Sequence, residues 1–398
     1  MPNKILFVTA LTAIYAGGYI HANTFDFNAE AKRLAIQSSR YSAVVKTAES
    51  DLLELKSENS LAPLEAEFGY LWGEGETGNK WNLSISQSFD WPGVYSARSK
   101  SIKATERVLK EASRGALLSQ MLEIKQAMID IVAAGKNMAV SQMLNDTINK
   151  LYDVASKGVE QGEVTRLDLN KIAIERISVA RQLNADKRAY AAAVSSLESI
   201  CGSDAGEIIG GLNEFPDEHI LAEEHYERLM NEANPTLSEK RANILAAKAT
   251  ATTEQRLNYP GFNLGYSYEN EGAERWHGVT AGISIPLFTS KGKAKAAKLR
   301  VAAAESEAIQ TMISEVAALK AERAQAVSLY DEVTKYETAL NGTDNIALLQ
   351  KALAGGQMSV LDYLQELTYF ISARRDYIDL RYQYALALAR LNRLAMLD

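Results

Sequence analysis

Residues 81–93 read WNLSISQSFDWPG, and along them residue types alternate. Trp81, Leu83, Ile85, Phe89 and Trp91 fall on one side of an extended chain, and Asn82, Ser84, Ser86, Ser88 and Asp90 on the other, because successive strand side chains point to opposite faces. An oily face and a wet face on one strand, inside a chain that otherwise has helical periodicity, pose the fold problem.

Three more segments share the pattern. Strands are expected over about Leu64–Trp72, Trp81–Trp91, Phe262–Asn270 and Val279–Phe288. Ala66, Phe68, Tyr70 and Trp72 share a face, as do Phe262, Leu264, Tyr266 and Tyr268, and then Val279, Ala281, Ile283, Ile285 and Leu287. Glu65, Glu67, Asn263, Ser267, Thr280 and Ser284 fall opposite. A soluble, half-exposed sheet would alternate in the same way. Strand length and aromatic placement favour a membrane instead. A tilted strand crosses a bilayer in about 9–11 residues. All four tryptophans, Trp72, Trp81, Trp91 and Trp276, lie at strand ends, where interfacial aromatics gather. The connectors GEGETGNK and EGAER suit exposed turns. Four strands cannot close a barrel, and lipid does not tolerate an open edge, so closure is expected from other copies. Three chains supply twelve strands, whereas the eight strands of two chains would enclose an interior filled by side chains.

The chain also reads as an internal duplication. GVEQGEVTRLDLNK and LAGGQMSVLDYLQE follow long helical stretches, pairing Gly162 with Gly356, Thr165 with Ser359, Leu167 with Leu361 and Asp168 with Asp362. ISQSFDWPGVYSARSK corresponds to ISIPLFTSKGKAKAAK. The expected organisation is a signal peptide at 1–22, a first repeat at 23–200 with strands at 64–91 and a helical hairpin at 94–200, an equatorial connector at 201–224, and a second repeat at 225–398 with strands at 262–288 and a hairpin at 292–396. Heptad-like spacing at Leu117, Met121, Ile124, Met128 and Ile131, and at Leu144, Ile148, Leu151 and Ala155, predicts a long helix from about Val94 to Ser156 with coiled-coil packing. A second runs from about Gly292 to Leu353. At 1.5 Å per residue the first long helix spans roughly 95 Å and its return, Thr165 to Ile200, roughly 54 Å. A helix over about Tyr226–Leu257 makes up the difference for one half, and one over about Asp26–Lys56 for the other. Gly162 and Gly356 suit the left-handed end of a helix, while Thr165 with Asp168 and Ser359 with Asp362 are capping-box pairs.

Composition narrows the function classes. The 398 residues carry a net charge of −7, against a nucleic-acid partner. The single cysteine, Cys201, allows no intrachain disulfide or cysteine zinc cluster and reads as a small buried apolar residue. His21, His219, His225 and His277 are scattered, and no metal spacing, nucleophile constellation or phosphate-cradling loop is recognisable. The apolar run from Ile5 to about Ala16 is a secretory signal, too short for a span, with no cysteine placed for lipidation.

Taken together, the duplicated plan, the strand exits SQSFDWPG and SIPLFTSKG before basic helices, and the tips GEVTRLDL and GQMSVLDYL resemble the TolC family of outer membrane efflux proteins over nearly all of residues 24–398. The resemblance implies a mainly α chain with a membrane β-barrel part. It implies a homotrimer whose 12-stranded barrel lies in the outer membrane of a Gram-negative bacterium and whose α-barrel extends into the periplasm. An inner-membrane pump and a periplasmic adaptor are the implied partners, with no reaction to catalyse and no cofactor or metal. The adaptor would touch Gly162, Glu163, Thr165, Arg166, Leu167, Asp168, Gly356, Met358, Ser359, Leu361 and Asp362. Arg166, Asp168 and Asp362 are candidates for a periplasmic gate, although the tip residues equally suit plain helix capping. The cargo is expected to be small toxic compounds, drugs or metal ions. A duct for secreted polypeptides and a periplasmic coiled-coil scaffold are the alternatives.

Overall fold

A computed structural model describes residues 25–74, 78–202, 205–272, 274–286, 291–341 and 345–397. In chain order the elements are helices α1 (Phe27–Gln37) and α2 (Ser39–Ser57), strands β1 (Leu64–Leu71) and β2 (Lys80–Phe89), helices α3 (Pro92–Glu160), α4 (Arg166–Cys201), α5 (Gly206–Ile209), α6 (Glu223–Glu232) and α7 (Pro235–Arg256), strands β3 (Gly261–Glu271) and β4 (Glu274–Ser284), and helices α8 (Lys291–Asn341), α9 (Asn345–Ala354) and α10 (Val360–Leu391), closed by a 3-10 turn at Arg393–Leu397. No described helix is long and apolar enough to cross a membrane.

The order matches the sequence expectation, with four corrections. The N-terminal helix is broken at Ser38, whose backbone is extended (φ −69°, ψ 143°) and whose buried hydroxyl donates to Ala35 O and accepts from Tyr41 N and the Gln120 amide. A hydroxyl that satisfies the local backbone competes with helix continuation. The expected helix over 226–257 is two, because Asn234 accepts from the Thr236 and Leu237 amides and Pro235 occupies the first helical position, where its missing N–H costs nothing. β4 begins five residues earlier than expected, at Glu274, and ends at Ser284; Leu287 and Phe288 lie outside the described residues. The long helix expected to Leu353 is divided into α8 and α9, with 342–344 outside the described residues.

The chain forms two compact units. One comprises residues up to Ser42, Leu117–Glu227 and from Ala318 onward; the other comprises Ala43–Ala116 and Arg228–Ala317. In the first, α3 is buried on nearly all sides between Leu118 and Ala133: Met121, Ile124, Met128, Ile129 and Ile131 are fully enclosed, which marks a core helix and not a surface one. Toward its C-terminus burial narrows to Ile148, Leu151 and Ala155, the heptad stripe read from sequence. A second cluster joins Tyr226, Ala326, Leu329, Ala387, Leu388 and Leu391.

Polar side chains hold the connector in this unit. Lys125, fully buried, donates to Glu218 and to Asn28 Oδ1 (2.8 Å); Asn392 Nδ2 donates to Glu218 Oε2 (3.5 Å) and His219 O (3.2 Å), and the Tyr226 hydroxyl donates to Asn392 Oδ1 (2.7 Å). Lys136 reaches Glu214 at 2.6 Å and lies 5.9 Å from the Phe215 ring centroid. The connector between α5 and α6 is thereby tied to α1, α3 and the chain end.

Candidate functional site

The sheet of the other unit runs β1-β2-β3-β4, antiparallel throughout. Its register aligns the alternations of the strands. Phe68 stands opposite Leu83, Tyr268 and His277; Ala66 opposite Ile85, Tyr266 and Val279; Phe89 opposite Phe262 and Ile283. The intervening rows are polar or small: Glu67, Ser84, Ser267 and Gly278, then Glu65, Ser86, Gly265 and Thr280. A shift of one residue in any pairing would have mixed the two faces. The apolar face has no cover among the described residues, and Phe68, Leu264, Val279 and Ile283 are 65%, 56%, 89% and 67% exposed. A water-soluble monomer rarely leaves so continuous an apolar surface open.

Both outer strands also lack a partner on one side among the described residues, which leaves two sheet edges open. Strands of 10, 11 and 11 residues for β2 to β4 match a tilted bilayer crossing, with β1 shorter at 8.

Three tryptophans border the apolar rows. Trp81 lies opposite Tyr70, with its ring 5.2 Å from Tyr268 and 6.2 Å from Phe68; Trp72 meets Tyr70 at 5.1 Å; at the helix end, Trp91 meets Tyr259 at 6.0 Å and Phe262 at 5.8 Å. Trp276 departs from the sequence expectation. It stands opposite Glu269, in a polar row, because an odd number of residues separates it from Val279, Ala281 and Ile283 on the apolar side.

The hairpin tips belong to the first unit. Gly162 (φ +75°) and Gly356 (φ +68°) take the left-handed conformation after α3 and α9, with nothing within 4 Å of where a Cβ would stand. Thr165 Oγ1 accepts from Asp168 N (3.1 Å) and donates to Asp168 Oδ2 (2.7 Å). Ser359 completes a reciprocal box with Asp362: its hydroxyl accepts from Asp362 N (3.1 Å), and its own N donates to Asp362 Oδ2 (3.4 Å). Both carboxylates are thus used in capping, and Asp168 also lies 3.9 Å from Lys171. Gly162, Glu163, Thr165, Arg166 and Leu167 are exposed, as are Gly356, Ser359 and Asp362, while Met358 and Leu361 are half-buried. Arg166 has no ion pair among the described residues.

A polar cluster deeper in the same unit was not expected. Arg375 on α10 donates to Asp186 on α4 and to the Ser141 hydroxyl on α3, and Ser141 donates to Asp186. Asp186 follows the buried positions Val179 and Leu183 at helical spacing, and Arg375 follows Leu364, Leu367 and Ile371 in the same way. A charge at a stripe position was the available sequence signal. Tyr382 donates to Asp130 at 2.9 Å; burial raises the pKa of the Asp130 carboxyl and pushes the Tyr382 phenol up to about 12. No group of His, Cys, Asp and Glu suited to a metal occurs among the described residues.

The comparisons agree with this architecture. Residues 228–395 match the family described as outer membrane efflux protein. A search of curated proteins finds no match. Among solved structures, the Campylobacter jejuni CmeC outer membrane channel superposes with a TM-score of 0.73 at 14% identity, covering 93% of this chain and 85% of that one. A membrane protein from Pseudomonas aeruginosa gives 0.74 at 15% identity, with 93% of each chain covered. The outer membrane protein VceC from Vibrio cholerae gives 0.69 at 16%, covering 92% and 95%. At these identities the likeness is one of fold.

Proposed function

We propose that this chain, which carries an outer membrane efflux protein domain over residues 228–395, works as a trimeric duct through the outer membrane. The family is one of Gram-negative outer membrane channels and not of enzymes. The observation that carries the duct is the in-register sheet, with one face apolar and uncovered, the other polar, and two open edges. Three copies pair β1 of one to β4 of the next, giving twelve strands with lipid outside and a wet lumen inside, and no edge remains in the bilayer. An eight-stranded barrel would fill with side chains. The long helices of the three copies then make an α-barrel on the periplasmic side, with α3 as a continuous stave and α8 followed by α9 as its divided counterpart.

The duct is the exit of a tripartite efflux system for small toxic compounds, drugs or metal ions, with an inner-membrane pump and a periplasmic adaptor as partners. The adaptor meets the two tips at Gly162, Glu163, Thr165, Arg166, Leu167, Asp168, Gly356, Met358, Ser359, Leu361 and Asp362. Arg166, Asp168 and Asp362 contribute to closing the periplasmic end, and Trp72, Trp81 and Trp91 lie at the membrane interfaces. The exposed tips with their rigid glycine-and-cap turns support the adaptor assignment. The test is conductance in planar bilayers with the purified full chain. Discrete, long-lived steps are expected, larger for the variant Asp168→Ala with Asp362→Ala that loosens the closed end, and a preparation in which both forms insert but neither conducts would contradict the duct.

A further inference from the structure

The first turns of α3 and α8 carry unpartnered positive charge. Lys100, Lys103, Arg107 and Lys110 on α3, and Lys293, Lys295, Lys298 and Arg300 on α8, are all exposed. None has an ion pair among the described residues, in a chain that is acidic as a whole. Glu106 is the one acidic residue between Pro92 and Lys110, and 291–304 contain none. The carboxylates further along are already engaged: Glu111 with Arg114 at 2.8 Å, Glu305 with Lys248 at 2.9 Å and Glu307 with Lys240 at 3.4 Å.

The register fixes where these charges stand. Phe89 at the end of β2 and Ile283 near the end of β4 share a row through Phe262, so α3 and α8 leave the same end of the sheet. At 1.5 Å per residue, Lys110 is about 27 Å along α3 from Pro92 and the other cations lie closer to the sheet. Their direction follows from Arg98, which reaches Asp90 at 2.7 Å. Asp90 follows Phe89 and so continues the polar side of β2. At about 100° per residue, Lys100, Lys103, Arg107 and Lys110 cover about 80° of α3, centred about 160° around the helix from Arg98. The stripe therefore faces the side of the apolar rows, where Trp91 packs on Phe262.

We infer that this cationic collar binds the phosphate headgroups of anionic phospholipids in the leaflet next to the helices. It presupposes the membrane duct proposed above. The cations nearest the sheet match a layer of phosphates in position and sign: Lys293, Lys295 and Lys298 lie within about 11 Å of the start of α8, and Lys100 and Lys103, about 12 and 16 Å along α3, lean back toward the sheet as helix side chains do, whereas Arg107 and Lys110 stand beyond the headgroups. Arg300 can take a phosphate in bidentate fashion, and the two helix N-termini add partial positive charge on the same side. A lumen-borne anion is the other source of negative charge, and the direction of the α3 stripe disfavours it.

The test uses the full chain in mild detergent, offered equimolar phosphatidylglycerol and phosphatidylethanolamine in mixed micelles, with retained lipid counted per particle by native mass spectrometry. Wild type is expected to prefer phosphatidylglycerol by about tenfold or more, since one basic residue near an anionic surface is worth roughly fivefold. The combined variant Lys100→Gln, Lys103→Gln, Lys293→Gln and Lys295→Gln should lose most of that preference, and Lys100→Gln with Lys103→Gln about half of it on a logarithmic scale, should the fourfold variant fail to assemble. Equal retention by wild type, or a preference unchanged in the variants, overturns the collar. A shifted reversal potential in planar bilayers with unchanged lipid preference would place the stripe in the lumen, also overturning it while leaving the duct intact. A wild-type chain that never inserts into a membrane would remove both the duct and the collar.

Discussion

Replacing Lys125 by methionine keeps the aliphatic volume and removes the charge at the centre of the connector network. The Lys125 side chain is 0% exposed and that of Glu218 17%, so Lys125→Met leaves a mostly buried carboxylate with only the Asn28 amide at 3.3 Å and the Asn392 amide at 3.5 Å. Orphaning one member of a buried pair costs about 3–5 kcal/mol. The partial exposure of Glu218 puts the expectation near the lower end, about 3 kcal/mol, or a fall of about 6–12 °C in the midpoint of this unit. Adding Glu218→Gln removes the uncompensated charge, so the double variant should recover to within about 1 kcal/mol of wild type. All four tryptophans lie in the other unit, so the assay is loss of helical circular dichroism at 222 nm and not tryptophan emission. A single variant within 2 °C of wild type, or a double variant as unstable as the single, would refute the assignment of the network as an interdependent pair.

Gly162→Ala and Gly356→Ala should each destabilise their tip by about 1–2 kcal/mol through left-handed backbone strain alone, since open space surrounds both sites. Amide exchange at the turns should accelerate about tenfold or more, and unchanged protection would count against that turn geometry. The raised pKa of Asp130 means that the folded state favours its protonated form, so this group adds stability as pH falls from neutral through its folded pKa toward the ordinary 3.8. Asp130→Asn should flatten the stability profile over that window, and Tyr382→Phe, which removes a bond to the carboxylate, should steepen it; an unchanged slope in thermal melts between pH 7 and 4 would refute this. Burial pushes the Cys201 thiol up to about 11, leaving about 0.1% thiolate at pH 8. Labelling by a thiol-exchange reagent should be slow until denaturant is added, and rapid native labelling would contradict the burial.

Much of the fold was legible because its signals are periodic. Trp81 through Phe89 alternate with the single exception of Gln87, and the faces they define are those the register aligns. Ile148, Leu151 and Ala155 keep heptad spacing and are buried together. The tips were legible because a glycine followed by Thr-x-x-Asp or Ser-x-x-Asp has a local cause for each turn. The breaks were harder. Pro235 after Asn234 was a local signal in plain sight, whereas Ser38 breaks its helix through a hydroxyl that also meets Gln120, 82 residues away. Arg375, Asp186 and Ser141 come from three helices, and no local pattern brings them together. Trp276 differs because it lies within β4 and not beyond its end, and its odd spacing from Val279, Ala281 and Ile283 puts it among the polar rows.

The duct requires closure of the open sheet by two further copies in the outer membrane. Separating inner from outer membrane, extracting the full chain in detergent and weighing the protein part of the particle by light scattering tests it most directly. A particle of three mature chains, found in the outer membrane fraction, is the predicted result; a soluble monomer or dimer in the periplasm would leave the apolar rows and both sheet edges without the partners the account requires.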